Sequence, residues 1–305
     1  MSRSLGVLVM AHGTPASSAE IAPFYTRIRH GRPPTEEQLA DLTRRYDAIG
    51  GLSPLNERTA AQVDGIRHAL EARAPGAFVV AYGAKHADPP IEQAAAELVA
   101  GGIRGVVGLV LTPHGSSMGS GEYLERARRA VEESVPFVEV PPWYRQPALV
   151  ALLARRVRDA VDQVEGRPVR VVFTAHSLPA RVVEQGDTYP AQLEESARLV
   201  AEAAGVPDWS VAWQSAGRTP EPWLGPDVNE VIATLGEDDA VGAVVVCPIG
   251  FVSDHLEVLY DLDVEAQAGA ARAGLGFART TSLNDDAAFL AVLADAVIAA
   301  AARVP

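Results

Sequence analysis

Short runs of apolar, mostly β-branched residues, separated by longer amphipathic stretches, constrain this 305-residue chain more than any other feature. The runs 5–13, 77–83, 105–115, 169–177, 209–215 and 243–250 read as strands buried on both faces, because neither alternate position is kept polar. Between them, 58–73, 91–101, 121–134, 147–164, 189–204 and 227–235 have helical spacing. Residues 285–303 make a terminal helix, capped by Asn284 or Asp285. Strands alternating with helices in this way predict an α/β fold with parallel sheets and right-handed crossovers.

The length favours two cores over one. The Pro-rich break "VPPWYRQP" (140–147) divides the chain into an N-terminal α/β domain, 1–145, and a C-terminal one, 146–305, whose last helix can pack back on the first. An internal echo supports two similar halves. "VLVMAHGTP" (7–15) and "VVFTAHSLP" (171–179) each end a buried strand in Ala-His, a small residue, one more residue and Pro. "LVLTPHGSS" (109–117) is a looser third copy. Ligands of open α/β sheets sit beyond the carboxyl ends of the strands. His12, His114 and His176 all occupy such ends, so the expected active site is a cleft between the halves.

Composition narrows the partners. A net charge of −13 argues against nucleic acid or an anionic membrane, either of which needs a basic face. One cysteine, Cys247, excludes an internal disulfide, a four-Cys zinc site and an all-cysteine iron–sulfur cluster. The cytoplasm is the default compartment. The N-terminal apolar run is too short for a secretory signal. The longest nearly uncharged run, 240–252, falls short of the roughly 20 residues a membrane span needs.

Charge placement points to chemistry. In "FVSDHLEVLYDLDVEA" (251–266), helical winding puts Glu257, Asp261 and Glu265 on one face, where like charges repel by about a few tenths of a kcal/mol per pair. A helix start explains part of this: Asp254 as N-cap and Glu257 at the third position form a capping-box pair, with Leu256, Leu259 and Leu262 facing inward. Asp261 and Glu265 are left over. They read either as a solvated face or as hard oxygen ligands for divalent cations in transit. His176 reads either as a buried histidine or as the imidazole partner of Glu257, a pair suited to ferrous iron or to proton transfer. "YTRIRHGRPP" (25–34) packs three Arg and one His into six residues, and "RRY" (44–46) adds two more Arg. In an acidic protein these can grip carboxylates. "GSSMGSG" (115–121) lacks the lysine and spacing of a phosphate loop. "WQSAGRTPEPWLGPDV" (213–228) holds two tryptophans that either fill the core or wall a pocket.

These motifs, together with "IRHGRPP", "RRYDAIGGLSPLNERTAAQ", "DTYPAQLEESARLVAEAAG" and "PIGFVSDHLEVLYDLDVEA", resemble the ferrochelatases over nearly the whole chain and in order. The likeness is nearest to the short soluble bacterial form that acts on coproporphyrin III. The resemblance implies a lyase with two flavodoxin-like (Rossmann-type) domains that inserts ferrous iron into a porphyrin and releases two protons, late in heme synthesis. It implies His176 and Glu257 as the iron and proton pair. It implies an outer metal ion, Mg(2+) being the candidate, on Asp261 and Glu265 beside Arg45, and porphyrin contacts at Arg29, Arg45, Tyr46, Ser53 and Tyr123. Fe(2+) is then a substrate, with no permanent cofactor and no iron–sulfur cluster, in a monomer that binds no nucleic acid and does not insert in a membrane. The polar segment "PPTEEQLAD" (33–41) suits a four-carboxylate porphyrin better than protoporphyrin IX. His12 stands where the short bacterial form usually has tyrosine, and by that position it would be axial to the product iron.

Three other functions compete: a protoporphyrin IX ferrochelatase, a cobalt or nickel chelatase of the sirohydrochlorin type, and a non-catalytic heme carrier. The Arg-rich segment and the tryptophan loop favour iron insertion over the second. An intact His176–Glu257 pair argues against the third, because a carrier needs no proton acceptor.

Overall fold

The computed structural model describes residues 4–131, 134–164 and 166–305. It divides into two compact units. Unit 1 takes Met1–Pro113, Gly119–Trp143 and Asn284–Pro305; unit 2 takes His114–Met118 and Tyr144–Leu283. The terminal segment therefore belongs with the first unit.

Unit 1 is built on β1 (Leu5–Ala11), β2 (Phe78–Ala84), β3 (Val106–Val110) and β4 (Phe137–Glu139), all parallel, in the order β2-β1-β3-β4. Every residue of β1 and β3 is buried. Leu8, Met10, Val106 and Val110 pack against the helices Ile91–Ala100 and Ser120–Val131. The predicted helix 121–134 runs into residues 132 and 133, which lie outside the described ones. The terminal helix Ala287–Ala301 packs on the helix Leu55–Arg73. Gly65 makes that approach possible, since a Cβ there would lie 2.1 Å from Leu290 Cδ1. The cap of the terminal helix is Asp286, which accepts from the amides of Ala288 and Phe289, and not Asn284 or Asp285. Asn284 stands in the left-handed region instead.

Unit 2 repeats the arrangement with β5 (Val169–His176), β6 (Trp209–Gln214), β7 (Ala243–Cys247) and β8 (Gly276–Arg279), all parallel, in the order β6-β5-β7-β8. β1 and β5, which carry the echoed motif, hold the same second place in their sheets. Both units are thus parallel α/β. The edge strands β4 and β8 escape sequence reading because runs of three or four mostly half-buried residues carry no periodicity.

The segment after β7 departs from an ordinary helix. A short α turn, Leu256–Val258, passes into a π-helix, Leu259–Ala266, and then into an α turn, Gln267–Arg272. The Gln267 amide bonds the Leu262 carbonyl, five residues back. The wider winding places Val258 and Ala266 in the core with the expected Leu262, while Leu256 and Leu259 are only half-buried. Full burial of a Val or Leu side chain is worth about 1.5–3 kcal/mol. Repulsion along the acidic row is several-fold smaller, so packing sets the winding. Among the described residues no helix is long and apolar enough to cross a membrane.

Candidate active site

His176 is the last residue of β5, and its Nδ1 lies 2.5 Å from the Ser177 carbonyl. A carbonyl can only accept, so Nδ1 carries a proton and Nε2 points away. The loop that follows β7 comes back against β5 at Gly250, whose amide donates to the Thr174 carbonyl at 3.0 Å. A Cβ at Gly250 would sit 2.8 Å from Ala175 Cα, so only glycine permits this contact. The loop then delivers Glu257 to His176: Oε1 stands 3.6 Å from His176 Nε2.

The other carboxylate oxygen, Oε2, lies 3.5 Å from His255 Nε2. His255 is oriented in the same way as His176, with Nδ1 2.9 Å from the Ser253 carbonyl. Sequence reading missed His255, because residues two apart on a helix do not face each other. His255 instead precedes the helix in extended backbone, φ −157°, and turns back on Glu257. The expected capping box is absent for the same reason: His255 is the N-cap position and contributes no side-chain cap.

Electrostatics favour a charged pair. Burial opposes a protonated His176, but the Glu257 carboxylate beside it, aided by the Ser177 carbonyl, carries the imidazole up to about 9. Burial would raise Glu257, yet His176 and then His255 hold it well below the ordinary carboxylate range. The side chains remain 37% and 39% exposed, so solvent and solutes reach both.

The rest of the acidic row divides. Asp261 is buried and accepts from Ser215 Oγ at 2.5 Å. Ser215 follows β6 with φ +60°, a strained value for a serine that aims the hydroxyl at Asp261. Glu265 is half-buried at the end of the π segment. Asp254 and Asp263 are gathered by Arg279 of β8: Nε and Nη2 clasp Asp263 at 2.6 and 2.9 Å, and Nη1 meets Asp254 at 3.3 Å. Among the described residues, no group of three or more His, Cys, Asp or Glu side chains is arranged to hold a metal ion.

In unit 1, the candidates are spread over the segment after β1 and the helices that follow. His12 is exposed, with Nδ1 3.0 Å from the Gly13 carbonyl, the same backbone tether as at His176. Its ring lies 4.8 Å from that of His86 and 6.0 Å from Phe24. Tyr46 is buried with its hydroxyl 3.4 Å from Thr14 Oγ1. Ser53 is buried and accepts from the Leu55 amide at 3.3 Å, at the start of the helix Leu55–Arg73. Arg45 pairs with Asp41 at 3.1 Å within the helix Glu36–Ala48, which sequence reading took as a polar segment. Arg29 lies over the Tyr25 ring at 5.6 Å, and Lys85 over Tyr123 at 5.2 Å. His114, in unit 2, is a packing residue: fully enclosed, 5.2 Å from the Tyr144 ring, and pushed by burial down to about 3. Of the two loop tryptophans, Trp213 is buried against Tyr189, while half-buried Trp223 bonds Thr219 within its own loop.

This parallel α/β unit thus presents a carboxylate between two imidazoles, groups of a kind that can hold or pass a proton. The chain belongs to the ferrochelatase family, whose model, Ferrochelatase, matches residues 4–301. It is 41% identical over 302 residues to the coproporphyrin III ferrochelatase of Geobacillus thermodenitrificans, covering 97% of this chain and 96% of that one. It is 43% identical over 316 residues to the ferrochelatase of Thermus thermophilus, covering 97% and 99%. It is 41% identical over 302 residues to the coproporphyrin III ferrochelatase of Bacillus subtilis, covering 97% of each. Among solved structures, SirB from Bacillus subtilis with Fe3+ shares the fold at a TM-score of 0.64 and 15% identity, over 98% of this chain and 96% of that one.

Proposed function

We propose that this chain inserts ferrous iron into coproporphyrin III and releases two protons, as a cytoplasmic monomer in heme synthesis. The observation that carries the proposal is the Glu257 carboxylate set between the Nε2 atoms of His176 and His255, 3.6 and 3.5 Å away. The relatives named for this substrate and the Arg-rich segment of unit 1 support the choice of porphyrin.

The residues suit each part of the task. Ferrous iron is a substrate in transit, so it does not need three protein donors: the porphyrin supplies four nitrogens, and one imidazole with one carboxylate completes a borderline-metal set. An approaching dication opposes the proton on His176 and frees Nε2, while Glu257, already ionised, can take a proton leaving the ring. Asp261 and Glu265 raise the local concentration of cations near the pair. Arg29 and Arg45 hold propionates, with Tyr46, Ser53 and Tyr123 along the porphyrin edge. His12, tethered at Nδ1, presents Nε2 as an axial donor to iron in the product.

A metal-insertion assay with coproporphyrin III and protoporphyrin IX, each with Fe(II), Co(II), Ni(II) and Zn(II), tests this reading. Faster insertion of Fe(II) into coproporphyrin III is expected. Failure to metallate either porphyrin overturns it.

A further inference from the structure

The two groups of the candidate pair come from different elements, and one buried side chain touches the supports of both. Gln214 ends β6 directly beside His176 in the strand register, and it is 1% exposed. Its main-chain carbonyl accepts from the Ser177 amide at 2.8 Å, tethering the residue whose own carbonyl lies against His176 Nδ1. Its side-chain Nε2 donates to the Glu257 carbonyl at 3.2 Å, next to the junction where the α turn gives way to the π segment. Its Oε1 accepts from Thr174 Oγ1 at 2.8 Å, two residues before His176.

The amide can face only one way. The Glu257 carbonyl is an acceptor, so the NH2 end must point to it, and Oε1 is left for the Thr174 hydroxyl. Thr174 is fully buried, so the orientation is locked from beneath. A leucine or methionine would fill the same space without the cost of burying an amide. What the amide adds is a fixed distance between the end of β5 and the start of the helix.

We propose that Gln214 is a positioning residue that sets the separation of His176 and Glu257, with Thr174 fixing its amide. The inference rests on the reading that this pair handles metal and protons.

The test uses the intact chain and Fe(II) insertion into coproporphyrin III. Gln214→Met should lower kcat by about 10-fold or more, as loss of supporting contacts around a metal-handling group does. KM for the porphyrin should stay within about twofold, because Gln214 does not touch the ring. Thr174→Val removes the hydroxyl at constant shape and should lower kcat in the same direction, while Thr174→Ser restores it. In a Glu257→Gln background, Gln214→Met should have little further effect, since it acts through Glu257. The inference is overturned if kcat stays within about twofold in both Gln214→Met and Thr174→Val. It is equally overturned if Thr174→Ser loses as much as Thr174→Val, or if the Gln214→Met loss persists unchanged in Glu257→Gln. If Gln214→Met does not fold, the Thr174→Val and Thr174→Ser pair decides. Full activity of Glu257→Gln overturns the reading of the pair itself, whereas an inactive Glu257→Gln beside a full-rate Gln214→Met overturns only the positioning role.

Discussion

His176 and Glu257 stand 3.6 Å apart as a charged pair, one at the end of a strand and the other in the first turn of a helix. Both retain more than a third of their side-chain exposure. Exposed ion pairs contribute about 0–1 kcal/mol, so this one adds little to the stability of the fold. Accessibility here favours exchange of protons and metal over rigidity.

His176→Ala and Glu257→Gln should therefore each lose about 10²–10⁴-fold in metal insertion. Coproporphyrin binding, followed by quenching of the intrinsic tryptophan fluorescence, should survive in both. Retention of more than roughly a tenth of the wild-type rate by both variants removes the pair from the mechanism.

The pair also gives stability a pH dependence. His176 is raised to about 9, so its contribution is fully present below the ordinary imidazole value and is lost as pH rises toward 9. Glu257 is lowered, so its contribution is present above the ordinary carboxylate value and is lost as pH falls below it. Both act together between about pH 4.5 and 6.5. The melting-temperature difference between wild type and His176→Ala should be largest in that window and shrink by about pH 9. A difference that grows steadily from about pH 6 to 9 contradicts the charged pair.

Asp261 and Glu265 should behave differently from one another. Asp261→Ala strands the Ser215 hydroxyl in its strained backbone and should cost about 1–3 kcal/mol. Glu265→Ala should leave the melting temperature nearly unchanged but raise the Fe(II) concentration needed for half-maximal rate. If the double variant is more thermostable than wild type and equally active at limiting iron, the row is only a repulsive face.

Arg29→Ala and Arg45→Ala should raise KM for coproporphyrin III while changing kcat at saturation little, because propionate contacts bind substrate and transition state alike. An unchanged KM in both variants would make these arginines ordinary surface charges.

The product complex should carry an imidazole on iron from His12. Its visible absorption and resonance Raman spectra should then differ from those of a phenolate-bound heme and change on His12→Ala. An unaltered coordination signature in that variant excludes His12 as the axial donor.

Period and punctuation alone marked β1, β2, β3, β5, β6 and β7 as strands; burial on both faces holds along β1, β3 and β7, whereas β2 and β6 stand at sheet edges and are only partly buried, with Val79 exposed. They also placed His12 and His176 at strand ends, where an α/β sheet presents its ligands. The helix Glu36–Ala48 was overlooked rather than illegible: Thr35 and Gln38 form a capping box, and Leu39, Leu42 and Tyr46 stand at i, i+3 and i+7, although only Tyr46 is buried. Local chemistry was ambiguous at the acidic row as well. Asp254 and Glu257 fit a capping box by spacing, yet Arg279 from β8 draws Asp254 away, and two imidazoles draw Glu257. Those partners lie far along the chain or turn back through extended backbone, so no local pattern announces them. Winding was decided in the same way: the sequence offers apolar residues on several faces of 256–266, and packing of Val258, Leu262 and Ala266 onto the sheet selects the π form. The sequence by itself determined which residue types stand at the strand ends, because burial writes a period into the chain. Only the tertiary structure decided which of them face one another, because hydrogen bonds and ion pairs between distant elements leave no period to read.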